Sequence, residues 1–220
     1  MGRTLIIAAI MFALGNPHTQ ADGEDVTVTT SRRVHPVLIR SEAGALLQIV
    51  MDVQRGKDLR LQAMHFTLDG TDDVGDLASV SLFATGDKQE FATAIPFGKP
   101  IDAAKTVAFR GDLMLRPRKN VFWLSCRLKP TADLSHKVRA VCTSVETTAG
   151  KPPVKDLSPS VRQRIGVALR KHKDDGAHTY RIPALTTTPK GTLLCVYDMR
   201  RRMGRDLPRR CSSDVHGLVD

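Results

Sequence analysis

A chain of 220 residues, 41% of them hydrophobic, has room for an ordinary domain and more besides. Its formal charge of +10 attracts anions, yet aromatic residues make up only 5% and do not interleave with the basic clusters. Proteins that stack single-stranded bases carry such aromatics, so the composition argues against a nucleic-acid partner, while acidic glycans stay compatible through long-range steering.

The amino terminus carries Arg3, then the apolar run Leu5 to Leu14, then small and polar residues as far as Ala21. A basic start, a short apolar core and a small-residue end describe a secretory signal peptide, here residues 1–22. The run is too short for a membrane span, which needs about 20 residues, and no later segment is longer. The expected location is therefore secreted or periplasmic, without a membrane span.

From residue 23 to 157 the pattern is all-β. Val26–Thr30, Leu46–Val53, Arg60–Leu68, Ser79–Gly86, Val121–Leu128 and Lys137–Val145 are the predicted strands, separated by turn chemistry such as Leu68 to Asp73. Short strands at regular spacing suggest a β-sandwich. Trp123 is the one residue here able to stack on a sugar, although a lone tryptophan in a strand is ordinarily core. Export permits disulfides, and four cysteines (Cys126, Cys142, Cys195, Cys211) allow three pairings. Cys126 and Cys142 flank a turn-like stretch, which would set them on adjacent strands, whereas Cys195 reads as a small packing residue. No cysteine or histidine spacing matches a metal site. Lys151 to Ser160, with its prolines and charges, reads as a linker that discourages packing.

Beyond it, Tyr180-Arg181-Ile182-Pro183-Ala184-Leu185, a turn at Pro189-Lys190-Gly191, and Thr192 to Arg200 read as a β-hairpin. A two-residue loop, either Pro189-Lys190 or Lys190-Gly191, places Arg181 opposite Asp198 or Arg200, and in both registers Arg181 and Arg200 share a face. A three-residue loop would separate them. Two like charges side by side make sense with an anion, or Asp198, between them. The plain alternative is a solvated basic edge strand.

Tyr-Arg-Ile-Pro followed by Gly-Thr-Leu-Leu and Tyr-Asp-x-Arg resembles the first active-site hairpin of bacterial sialidases (neuraminidases), and Arg164 to Gly176 resembles the segment leading into it. Ser79–Gly86 and Val121–Ser125 resemble, more loosely, the jelly-roll-like sandwich that precedes the catalytic propeller in that family. The resemblance implies an all-β chain with residues 23–157 as sandwich and 158–220 as the start of an incomplete β-propeller. It implies an exo-α-sialidase that removes terminal sialic acids from glycans without metal or organic cofactor. Arg181 then grips the sialic acid carboxylate, Arg200 lines the same pocket, and Asp206 serves as acid/base. Sialidases use a tyrosine nucleophile in place of the usual carboxylate pair. The only tyrosines, Tyr180 and Tyr197, lie inside the hairpin and neither matches that motif. The expectation is thus a truncated or frameshifted chain without turnover. The rival expectation is a secreted carbohydrate-binding or bracing module.

Overall fold

A computed structural model describes residues 26–53 and 59–201, together with the backbone of 214 and 215. The proposed leader, Asp206 and Cys211 lie outside the described residues.

Alternating burial builds the first sheet. In β1 (Val26–Ser31) Val26, Val28 and Thr30 are buried, and in β3 (Gly44–Val53) Leu47, Ile49, Met51 and Val53 are. With β5 (Leu77–Gly86), β7 (Arg118–Leu128) and β10 (Val154–Asp156) they form a five-stranded sheet ordered β10-β1-β3-β7-β5. A second sheet, β6-β4-β9, joins β4 (Arg60–Thr67), β6 (Thr106–Met114) and β9 (Val141–Thr147). One apolar cluster unites the inner residues of both: Ile49, Phe122 and Leu124 from the first, Met64, Phe66, Phe109 and Val145 from the second. Phe66 meets Phe109 edge to face at 6.1 Å, and Phe122 meets Phe97 likewise at 6.1 Å, the arrangement aromatic rings prefer. The all-β reading holds.

β7 is buried on both faces, because Trp123 on its outer side is covered by Phe91 (5.8 Å between rings) and by the Arg33 guanidinium 4.8 Å from its centroid. With 1% of its surface exposed, Trp123 is packed and offers no open sugar platform.

Several expectations need correction. Cys126 and Cys142 are both buried and free. They do not sit on adjacent strands: Cys126 is on β7, paired with β3 and β5, and Cys142 is on β9, paired with β4 in the other sheet. Burial pushes both thiols up to about 12, so they behave as inert packing groups. The single closing strand read at Lys137–Val145 is two, β8 (Lys137–Val138) and β9.

The stretch read as a linker is extended but packed. Its β10 pairs in parallel with β1, Val28 facing Val154. β11 (Gln163–Val167) follows, in parallel with β2 (Val37–Ile39) and antiparallel to β8, and its Ile165 joins the main core. A fully buried Arg32 fastens this crossing to the sandwich. Its Nη1 donates to both Asp156 oxygens at 2.9 Å and to the Ser158 carbonyl at 2.7 Å, while Nε donates to the Ala140 carbonyl at 2.8 Å.

A carboxylate cluster fixes the loops beneath β8. Asp76 accepts from the Asp133 amide at 3.1 Å and lies 2.7 Å from His136 Nδ1, while Asp72 accepts from the Lys137 amide and pairs with Arg162. The hydrogen bond to Asp76 raises the His136 pKa above its ordinary 6.5, with Asp133 and Asp72 adding to the pull. A raised folded-state value means the contribution is complete below about pH 6.5 and fades as pH climbs through the folded value. The melting temperature should therefore exceed that of His136→Gln at pH 6 and converge with it in the alkaline range. A gap that widens with rising pH would contradict the assignment.

Candidate functional site

The hairpin forms where the turn residues lie. β12 (Thr179–Thr187) and β13 (Leu193–Arg200) are joined through a Thr188–Thr192 pair, with the Thr188 amide donating to the Thr192 carbonyl at 2.8 Å and the Gly191 amide donating to the Thr188 carbonyl at 2.9 Å. Pro189, Lys190 and Gly191 form a three-residue loop, closed by Gly191 at φ +87, a left-handed conformation that glycine adopts without cost.

Such a loop alone separates the arginines. Continued regularly from Thr187↔Leu193 and Ala184↔Val196, it would set Arg181 opposite Met199 and on the other face from Arg200. The register instead shifts between Arg181 and Ala184, giving Arg181↔Asp198, Tyr180↔Met199 and Thr179↔Arg200. One extra residue on β12 takes up the odd step, and Ile182 carries it at φ +51. A β-branched residue at positive φ is strained. Of the two loop lengths left open by the sequence, the three-residue one occurs, and Arg181 and Arg200 nevertheless share a face because a bulge restores it.

On that face the charges alternate. Arg200 Nε donates to Asp198 Oδ2 at 2.8 Å, with the two side chains 15% and 23% exposed, and Arg181 is the cross-strand neighbour of Asp198. A carboxylate between two guanidiniums relieves their repulsion and holds the Arg200 fork in place, and a planar guanidinium matches the geometry of a planar anion.

The opposite face is apolar. Tyr180, Cys195, Tyr197 and Met199 gather round Ala177, and the two tyrosine rings meet edge to face at 5.2 Å. Burial raises the Tyr180 pKa, with Asp175 adding to it. Both tyrosines therefore point away from the arginines. β13 also pairs with β14 (Asp214–Val215), which makes a three-stranded sheet β12-β13-β14.

Asp206, read from the sequence as acid/base, lies outside the described residues, so only Arg181 and Arg200 of the three expected residues are seen together. Among the described residues no group of three or more His, Cys, Asp or Glu is placed to hold a metal ion, and no helix is long and apolar enough to cross a membrane.

The fold and the hairpin point the same way as three comparisons. Residues 25–151 match the family described as the N-terminal domain of BNR-repeat neuraminidase. A curated "Sialidase" of Bacteroides fragilis (strain YCH46) is 31% identical over 179 residues, covering 76% of this chain and 33% of that protein. Among solved structures, "Hadza microbial sialidase Hz136" superposes with a TM-score of 0.67 at 22% identity, over 81% of this chain and 39% of that one, which speaks to fold. The family match assigns the sandwich as a neuraminidase amino-terminal domain. The chain belongs to the BNR-repeat neuraminidase family. It spans about a third of the length of the curated relative it matches.

Proposed function

We propose that Arg181 and Arg200, steadied by Asp198, form part of a carboxylate clamp for sialic acid. The whole protein in which this clamp operates hydrolyses terminal α-sialic acids of glycoproteins, glycolipids and oligosaccharides. The observation that carries this reading is the shifted register of β12 on β13, which sets both guanidiniums on one face at the cost of a strained residue. Sialic acid bears its carboxylate on the anomeric carbon, so bidentate guanidinium contacts orient the reacting centre as well as binding it. Asp206 is assigned the acid/base role, for which its environment would have to hold it protonated when the leaving oxygen departs.

This chain by itself is proposed to lack turnover. Both of its tyrosines occupy the apolar face of the hairpin, away from the arginines. Residues 1–22 are proposed as an export signal, 23–157 as the sandwich and 158–220 as the opening of the propeller. The alternative is a carbohydrate-binding or bracing module without catalysis, for which the sandwich has a core of its own apart from the small cluster under the hairpin.

An NMR titration of the chain with N-acetylneuraminic acid tests the clamp. Arg181→Ala should weaken binding by roughly tenfold to a hundredfold, the range expected for losing hydrogen bonds to a charged group. Equal affinity in wild type and Arg181→Ala would remove the proposal, and binding of neutral sugars alone would favour the module.

A further inference from the structure

We infer that Arg40, a residue of the sandwich, is a positioning residue for the proposed carboxylate clamp, acting through Asp174 and Tyr180; the inference rests on the clamp reading above. Arg40 follows β2, the strand that holds β11 in parallel. As the chain leaves β11, the Arg40 guanidinium gathers it in. Nη1 donates to the carbonyls of Ala168 and Leu169, both at 3.0 Å, and Nη2 donates to Asp174 Oδ2 at 2.7 Å. Lys171 returns the grip, its Nζ donating to the Arg40 carbonyl at 2.7 Å.

From Asp174 the connection runs straight to the hairpin. Its carbonyl accepts from the Tyr180 hydroxyl at 2.6 Å and from the Ala177 amide at 2.9 Å. Tyr180 precedes Arg181 on β12 and faces the opposite side, packed on Tyr197. Arg170, which pairs with Asp175 at 3.1 Å, lies 5.9 Å from the Tyr197 ring and closes the same seat from its other edge. The back of the hairpin thus rests on residues 168–177, and Arg40 holds that segment to the sandwich.

Backbone strain marks the same path. Five non-glycine residues among those described have positive φ, and four lie along it: Arg40 (+71), Lys173 (+73), Asp175 (+50) and Ile182 (+51). Strained conformations persist where surrounding contacts over-determine them, and they gather where position matters to function. Arg40 is half exposed, so its ion pair adds little to overall stability. Its planar fork, which spans two carbonyls and a carboxylate, fixes direction instead, and a lysine cannot copy that.

The test compares wild type, Arg40→Ala, Arg40→Lys, Arg181→Ala and a control, Arg60→Ala, which removes another exposed pair of the sandwich (Arg60 with Asp112). Three quantities are read: the Kd for N-acetylneuraminic acid, amide exchange across residues 179–200, and the unfolding midpoint of the sandwich. Arg40→Ala should weaken binding about tenfold, within the usual range for coupling between distinct sites, and should speed exchange in the hairpin. The midpoint and the protection of β7 should stay as in wild type, Arg40→Lys should recover less than half of the lost binding free energy, and Arg60→Ala should change nothing. Unchanged Kd in Arg40→Ala beside a weakened Arg181→Ala would overturn the inference and leave the clamp intact. A midpoint that falls in step with the Kd would overturn it too, by showing a general structural role. No binding by the wild-type chain would overturn the clamp instead; exchange then decides on Arg40, and an unaltered hairpin in Arg40→Ala overturns its role.

Discussion

Replacing Arg32 with alanine should destabilise the sandwich by about 3 kcal/mol. Removing one partner of a buried ion pair costs roughly 3–5 kcal/mol, since the other charge is left without compensation. The lower end applies because the Asp156 side chain keeps 20% of its surface in water, while Arg32 keeps none. The effect should exceed that of any exposed pair, for which about 0–1 kcal/mol is usual. More than the charge is lost: the carbonyls of Ala140 and Ser158 lose their donor, while the backbone bond from the residue 32 amide to Ser158 Oγ at 2.7 Å remains. The double replacement Arg32→Met with Asp156→Leu should regain part of the loss, because neither charge then remains buried alone. Urea midpoints at neutral pH would measure both. A single-variant loss under 1 kcal/mol would show that water reaches this site and that the crossing at β10 is held by its backbone pairing alone.

That crossing also shows where sequence reading stops. The strands β1, β3, β4, β5 and β7 are legible because a two-sided sheet needs period-two burial or a continuous apolar run, and Val26–Thr30, Leu46–Val53 and Val121–Leu128 supply them. β6 is not, since only Val107 and Phe109 of its nine residues are buried and Gly111 interrupts the alternation where the Phe97 ring lies close by. β10 and β11 are short and polar. Their parallel partners, β1 and β2, lie more than a hundred residues away, and β10 is fastened by an arginine at position 32 that reads locally as one more charge. Cys126 and Cys142 mislead in the converse way: closeness along the chain says nothing when successive strands enter different sheets. The two arginines were legible as chemistry. Their seat on Arg40 and Asp174 was not, because carbonyl capture by a turn residue leaves no pattern in a sequence.

Ile182→Pro should weaken the proposed sialic acid binding at least about tenfold, and Ile182→Gly should preserve it. Proline fixes φ near −65° and cannot occupy the +51° that the bulge requires. With the bulge forbidden, the three-residue loop propagates its own register and Arg181 falls opposite Met199, aimed at the apolar seat of Tyr180 and Tyr197. A guanidinium lost from the clamp forfeits hydrogen bonds worth about 1.5–3 kcal/mol each when charge-assisted, which is at least about a tenfold loss in affinity. Glycine reaches the left-handed region without the penalty of roughly 1–2 kcal/mol that a side chain incurs there. Ile182 leaves 71% of its surface exposed, so little burial is given up in the exchange. The glycine variant should therefore hold its hairpin at least as firmly as wild type, with the same Kd for N-acetylneuraminic acid. Cross-strand NOEs separate the two variants directly: Arg181 Hα close to Asp198 in wild type and Ile182→Gly, and that contact missing in Ile182→Pro. If the proline variant retains the Arg181–Asp198 contact and binds as wild type does, the bulge is not what brings the arginines together.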